Sequence, residues 1–212
     1  NLDGWIGDVE SYEVKEGAIL CKQGQGGNLL VKDQLEDFVV RLEFKLPPAG
    51  NNGLAIRFSG KGRPHVDGMC ELQVIDSEHP KYAQLKDSQY HGSAYGLVPA
   101  HRGYLRPTGQ WNYQQVTVRG STIQVDLNGT RILDADLAKV AKSKDGKLHE
   151  AIKLRKGYFG FAGHNDPVAF RNIRIKRLPT QSATEVTSQW PQFRGAGSRG
   201  TSEWNMKLPT DI

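Results

Sequence analysis

Apolar residues in this chain recur at every second position, in short runs separated by turn residues. The clearest run is Glu36 to Leu46, where Phe38, Val40, Leu42 and Phe44 alternate with Val39, Arg41, Glu43 and Lys45 before Pro47-Pro48 stops it. That period places one set on a buried sheet face and the other outside. Further runs read as strands, some alternating and some continuously apolar: Tyr12 with Val14, Ala18 to Leu20, Leu29 to Val31, Leu54 with Ile56 and Phe58, Val116 with Val118, Thr122 to Leu127, Tyr158 to Phe161 and Val168 to Leu178. Asn51-Asn52-Gly53 and Asn128-Gly129 are turn signals, the latter of the tight hairpin kind. Only Asp134 to Lys142, with Leu137 and Val140, carries a short helical spacing. The expectation is an all-β sandwich of two antiparallel sheets with at most one short helix.

Length and composition narrow the class further. At 212 residues the chain can bury a full core. No apolar run approaches the ~18–20 residues needed to cross a bilayer. The net charge of +5 is spread along the chain, whereas nucleic-acid binding calls for a dense basic stripe with interleaved aromatics. The two cysteines, Cys21 and Cys70, stand in no paired-ligand spacing, which argues against a zinc or redox motif and leaves the compartment open. After Pro179 the pattern ends. Residues 1–178 are read as one domain, and 179–212 as a polar linker and a tail containing Trp190-Pro191-Gln192-Phe193-Arg194-Gly195.

One strand carries the candidate chemistry. In Met69 to Asp76, Cys70, Leu72 and Val74 share a coreward face, and Glu71, Gln73 and Ile75 share the other. A carboxylate and an amide two residues apart in mid-strand read as a surface for a polar ligand, with a merely solvated face as the alternative. Arg57 has the same outward parity on its own run, so pairing of the two strands would let Arg57, Glu71 and Gln73 converge. From Ser77 to Thr108 periodicity disappears, in a stretch rich in His, Tyr and Arg that suits a lid.

Several motifs together resemble the 3-keto-disaccharide hydrolase domain family, common in secreted proteins of polysaccharide-degrading bacteria. They are Leu2-Asp3-Gly4-Trp5, Asn51 to Arg57, Glu71 to Asp76, Gly92 to Gly96, Pro107 to Asn112, Leu127 to Gly129, Gly163 to Val168 and Phe170 to Ile175, in family order. Ala162 and Gly163 replace a Gln and a polar residue frequent before His164, and Asn165 replaces a usual Gly. The resemblance implies a concanavalin-like jelly roll, a secreted or periplasmic location, and cleavage of di- or oligosaccharides oxidised at C3. The tail from Trp190 separately resembles the opening of a quinoprotein-type β-propeller domain, so other domains of a larger chain are expected partners.

A plain glycosidase uses two carboxyls across the scissile bond, and the face of Glu71 offers Gln73 where the second would stand. A 3-keto sugar asks for less, because the ketone acidifies the C2 hydrogen. One base removes it, the C1 substituent leaves, and water adds back. Glu71 and His164 are the expected acid–base pair, either one serving as base or acid, and Arg57 is the expected anchor for the enolate or the substrate. Gln73, Asp76, Tyr95 and Asn112 are the expected contacts to sugar hydroxyls. No cofactor is required, and a divalent metal at the ketone is left open. The rival reading is a non-catalytic carbohydrate-binding module of a larger secreted protein.

Overall fold

The alternating runs pair as their parity requires. The computed structural model describes residues 1–140 and 150–179. The last residues of the helical stretch expected from Asp134 to Lys142 and the tail motif at Trp190 to Gly195 lie outside the described residues. The strands are β1 (Trp5–Gly7), β2 (Tyr12–Lys15), β3 (Ala18–Cys21), β4 (Gly26–Val31), β5 (Phe38–Lys45) and β6 (Asn51–Phe58). After a single turn of helix, α1 (Pro64–Asp67), follow β7 (Cys70–Ile75), β8 (Trp111–Arg119), β9 (Thr122–Leu127), β10 (Thr130–Asp136), β11 (Tyr158–His164) and β12 (Ala169–Arg177). They build a five-stranded sheet in the order β1-β4-β11-β6-β7 and a seven-stranded sheet in the order β10-β9-β8-β5-β12-β3-β2. Among the described residues, neighbouring strands within each sheet pair antiparallel.

The core lies between the sheets. Phe38, Val40, Leu42 and Phe44 of β5 meet Leu54, Ile56, Cys70, Leu72 and Val74 of the opposite sheet, with Phe159, Phe161 and Phe170 beside them. Phe161 and Phe170 stack at 3.9 Å between ring centroids. Each such large side chain contributes on the order of 1.5–3 kcal/mol on burial. Cys21 and Cys70 are both buried free thiols. The hairpin between β9 and β10 turns at Asn128 and Gly129 with φ of 50° and 92°, the left-handed pair that a tight hairpin demands.

Three local expectations are corrected. The helix placed from Asp134 onward is instead the end of β10 followed by a 3-10 turn over Leu137–Lys139, because Asp136 bonds the Ala138 N–H and closes the turn at once. The run read from Leu29 to Val31 begins three residues earlier, at Gly26 of β4, where a Cβ would stand 2.6 Å from the Gly163 carbonyl oxygen of β11. The aperiodic stretch after Ser77 does not begin as a free lid. Its residues 92–95 pair with the edge of β7, with bonds from Gly92 N to Gln73 O, from Gln73 N to Ser93 O and from Tyr95 N to Glu71 O.

Candidate functional site

The outer face of the five-stranded sheet has a floor of very small residues. In register across its middle, Glu71 of β7 stands beside Ala55 of β6, and Ala55 beside Gly160 of β11. One step along, Gln73 stands beside Gly53, and Gly53 beside Ala162. The absence of a side chain at Gly53 has a direct consequence. A Cβ there would stand 2.2 Å from Glu71 Oε1 and 2.7 Å from its carboxyl carbon. Glu71 therefore lies flat across β6 and reaches the strand beyond it.

There it meets His164, at the end of β11. Glu71 Oε1 is 3.6 Å from His164 Nε2. The other oxygen, Oε2, is 3.4 Å from Nδ1 of His65, which α1 supplies from the connection between β6 and β7. Both distances are long for an N–H···O bond, so each imidazole makes a weak, charge-assisted contact with the carboxylate. The carboxylate is almost fully buried at 4% side-chain exposure, whereas His164 is open at 46% and His65 intermediate at 28%. Burial pushes the Glu71 carboxyl up, but the neighbouring His164 and His65 imidazoles outweigh it and hold it below the usual carboxylate range. Contact with Glu71 pulls the His164 imidazole up against its partial burial, and Asp166 acts in the same direction. The two groups are thus driven apart, one towards carboxylate and the other towards imidazolium. Such a split separates a base from an acid at one pH.

Polar groups border this centre. Gln73 donates to Asn51 Oδ1 at 2.8 Å along the same face. Tyr95 is delivered by the segment paired to β7. Its ring meets His65 edge-on at 5.4 Å between centroids, and its hydroxyl accepts a bond from Gln89 Nε2 at 2.9 Å. Among the described residues no group of three or more His, Cys, Asp or Glu side chains stands in position to hold a metal ion.

Of the expected site residues, Glu71, Gln73, His164 and Tyr95 come together, while Arg57, Asp76 and Asn112 do not. Arg57 is turned inward by an irregularity in the register of β6 against β11. Ala55 to Phe58 spans three steps where Gly160 to Tyr158 spans two, and Arg57 takes φ of 46°. The extra residue reverses parity. The fully buried guanidinium donates to Asp37 Oδ1 at 2.8 Å and to the carbonyls of Glu36, Gly120 and Leu154. Asp76, just past β7, accepts the Ala49 N–H at 3.0 Å and ties a turn. Asn112 lies on the inner face of the seven-stranded sheet, where its Oδ1 accepts from Arg106 N and Asn128 Nδ2. His65 was not anticipated; it lies in an aperiodic connection where strand parity says nothing.

Comparison with known proteins agrees with this architecture. A crystal structure from Parabacteroides distasonis, described as a candidate glycosyl hydrolase, superimposes with a TM-score of 0.72 at 25% identity, covering 84% of this chain and 95% of that one. A carbohydrate-binding module from Bacillus subtilis shares the fold at a TM-score of 0.55 and 12% identity, covering 83% of this chain and 97% of that one. A curated 3-keto-disaccharide hydrolase from Bacteroides thetaiotaomicron is 28% identical over an alignment of 186 residues that covers 74% of this chain and 64% of that protein. The chain thus spans less than two thirds of that relative's length. The model of the 3-keto-alpha-glucoside-1,2-lyase-like domain matches residues 1–176, and with that match the chain belongs to this family.

Proposed function

We propose that this domain cleaves glycosides already oxidised at C3, by elimination followed by hydration. Glu71 takes the C2 proton. The electron pair moves towards the C3 carbonyl and returns to form the C1–C2 double bond as the C1–O bond breaks, and the departing oxygen takes a proton from the His164 imidazolium. Water then adds at C1, and a proton returns to C2. Gln73, Asn51 and Tyr95 border the space in which the sugar hydroxyls would lie.

One observation carries this reading: a single buried carboxylate is laid across Gly53 to His164. Neither β6 nor β11 brings an acidic residue to the face, and β7 brings only Glu71. A two-carboxylate glycosidase finds no second group on these three strands, and Asp166, past the end of β11, faces His164. A carboxylate paired with an imidazolium suits the more acidic C–H of a ketone. The name of the Bacteroides relative supports the same substrate class. An extracytoplasmic location, and a catalytic domain of residues 1–178 leading into a further segment, belong to the same proposal.

The test is product release from a 3-keto-disaccharide beside its unoxidised parent, with wild type and Glu71→Gln, with and without a chelator. Cleavage of the keto compound alone, lost in the variant, supports elimination. Cleavage of both sugars would overturn it in favour of ordinary hydrolysis. Binding without cleavage of either anomer would mark a carbohydrate-binding module.

A further inference from the structure

We propose that His65 is a positioning residue, which fixes the Glu71 carboxylate in the orientation from which it accepts the C2 proton. This rests on the elimination reading above. The two oxygens of Glu71 are engaged by different imidazoles from different elements, Oε2 by His65 at 3.4 Å and Oε1 by His164 at 3.6 Å. A carboxylate held at one oxygen can still rotate about its last bond; one held at both cannot without losing a partner. Precise orientation of a reacting group is worth large factors in rate.

The frame around His65 is built for the purpose. Its connection is pinned at both ends, by Ser59 N to Asp67 O and by Met69 N to Ile56 O. Within it, Asp67 accepts the Arg63 N–H at 2.8 Å and Gly68 N–H returns to the Pro64 carbonyl. On its other side the imidazole packs against Tyr95, which is itself tied to β7 through the Glu71 carbonyl. The ring is mostly buried, with Tyr95 on one side and Glu71 Oε2 3.4 Å from its Nδ1 on the other. The titratable groups involved are few. Glu71 faces His65 and His164, His164 faces Glu71 and Asp166, and His65 has the Tyr95 ring beside it.

The experiment compares His65→Phe, which keeps a ring against Tyr95 and removes the donor, with His65→Asn, which restores an N–H near the Nδ1 position. Steady-state rates on a 3-keto-disaccharide are measured across pH, and the Glu71 carboxyl is titrated by carbon NMR, with Glu71→Gln to assign it. His65→Phe is expected to lower kcat roughly 3- to 10-fold, the loss of one modest polar contact, with KM nearly unchanged. The acid limb of the rate profile and the Glu71 titration should both move to higher pH, and His65→Asn should restore most of each. Wild-type kcat and an unmoved Glu71 titration in His65→Phe would overturn the proposal, as would His65→Asn behaving like His65→Phe. A wild type inert towards every 3-keto-glycoside would sink the elimination reading instead, and the NMR titration would still decide whether His65 holds Glu71.

Discussion

Replacement of Arg57 by alanine separates a structural arginine from a catalytic one. Its guanidinium is fully buried and donates to Asp37 Oδ1 at 2.8 Å, Glu36 O at 2.7 Å, Gly120 O at 2.6 Å and Leu154 O at 3.2 Å. Truncation takes the counter-charge from Asp37, to which the Gly120 N–H still donates, and removes the guanidinium donors from the carbonyls of Glu36, Gly120 and Leu154. Breaking one side of a buried ion pair costs roughly 3–5 kcal/mol, because the remaining charge stays desolvated. For a domain of this size that corresponds to a fall in Tm of roughly 6–20 °C. Urea unfolding followed by tryptophan fluorescence measures the loss. Activity on a 3-keto-disaccharide, assayed well below the lowered Tm, should stay near wild type, because no contact links Arg57 to Glu71. The double replacement Arg57→Met with Asp37→Leu should recover much of the stability by removing the stranded charge. An Arg57→Ala protein that keeps its stability within about 1 kcal/mol but loses activity would refute this reasoning and return Arg57 to the active site.

Two further outcomes follow from local geometry. Gly53→Ala should fold, by circular dichroism, yet lose most of its kcat, because the new Cβ would stand 2.2 Å from Glu71 Oε1 and lift the carboxylate off β6. His91 is buried against Phe44 and bonded to Gln114, and burial holds its imidazole down to about 4. The folded state therefore resists its protonation. The stability it permits is complete above the unfolded value near 6.5 and falls as pH drops towards 4, by up to about 3 kcal/mol. His91→Phe should flatten that part of the pH–stability curve, measured by urea unfolding between pH 4 and 7, while lowering stability at pH 7 through the orphaned Gln114.

Strand alternation carried the fold, and parity alone put Glu71 and Gln73 on one face with Cys70, Leu72 and Val74 on the other. It failed at Arg57 for a physical reason. Ile56, Arg57 and Phe58 are all fully buried, so β6 ends without alternation, and the irregularity that inverts Arg57 depends on β11, about a hundred residues away. Asn112 is a different case. It shares parity with Val116 and Val118, so its inward direction was readable, but a buried Asn that holds backbone and the Asn128 turn resembles a ligand-binding Asn until its partners are seen. His65 and Tyr95 come from aperiodic connections. Their places are set by the helical turn after β6 and by edge pairing to β7; the family resemblance already named Tyr95, whereas only three-dimensional contacts reveal His65.

Depressing the pKa of a base also weakens it, so the site gains nothing from Glu71 alone. Holding Glu71 as carboxylate among two imidazoles secures its charge and lowers its proton affinity. On the elimination proposal the missing driving force comes from stabilising the charge that leaves, a role proposed for His164, whose imidazole is raised by that same carboxylate. The division of labour can be read from the leaving group. A sugar alkoxide needs a proton as the C1–O bond breaks; a nitrophenolate does not. His164→Gln should therefore slow cleavage of a 3-keto-disaccharide by roughly 10²–10⁴-fold, the usual worth of a general acid, and slow a nitrophenyl 3-keto-glucoside far less. Glu71→Gln should slow both alike, since each must lose the C2 proton. With deuterium at C2, the isotope effect on the nitrophenyl substrate should persist in His164→Gln, where proton removal still limits the rate. Equal losses for both leaving groups in His164→Gln would mean that the imidazolium serves the enolate rather than the departing oxygen, and the acid would have to be sought among the hydroxyl and amide groups that border the floor.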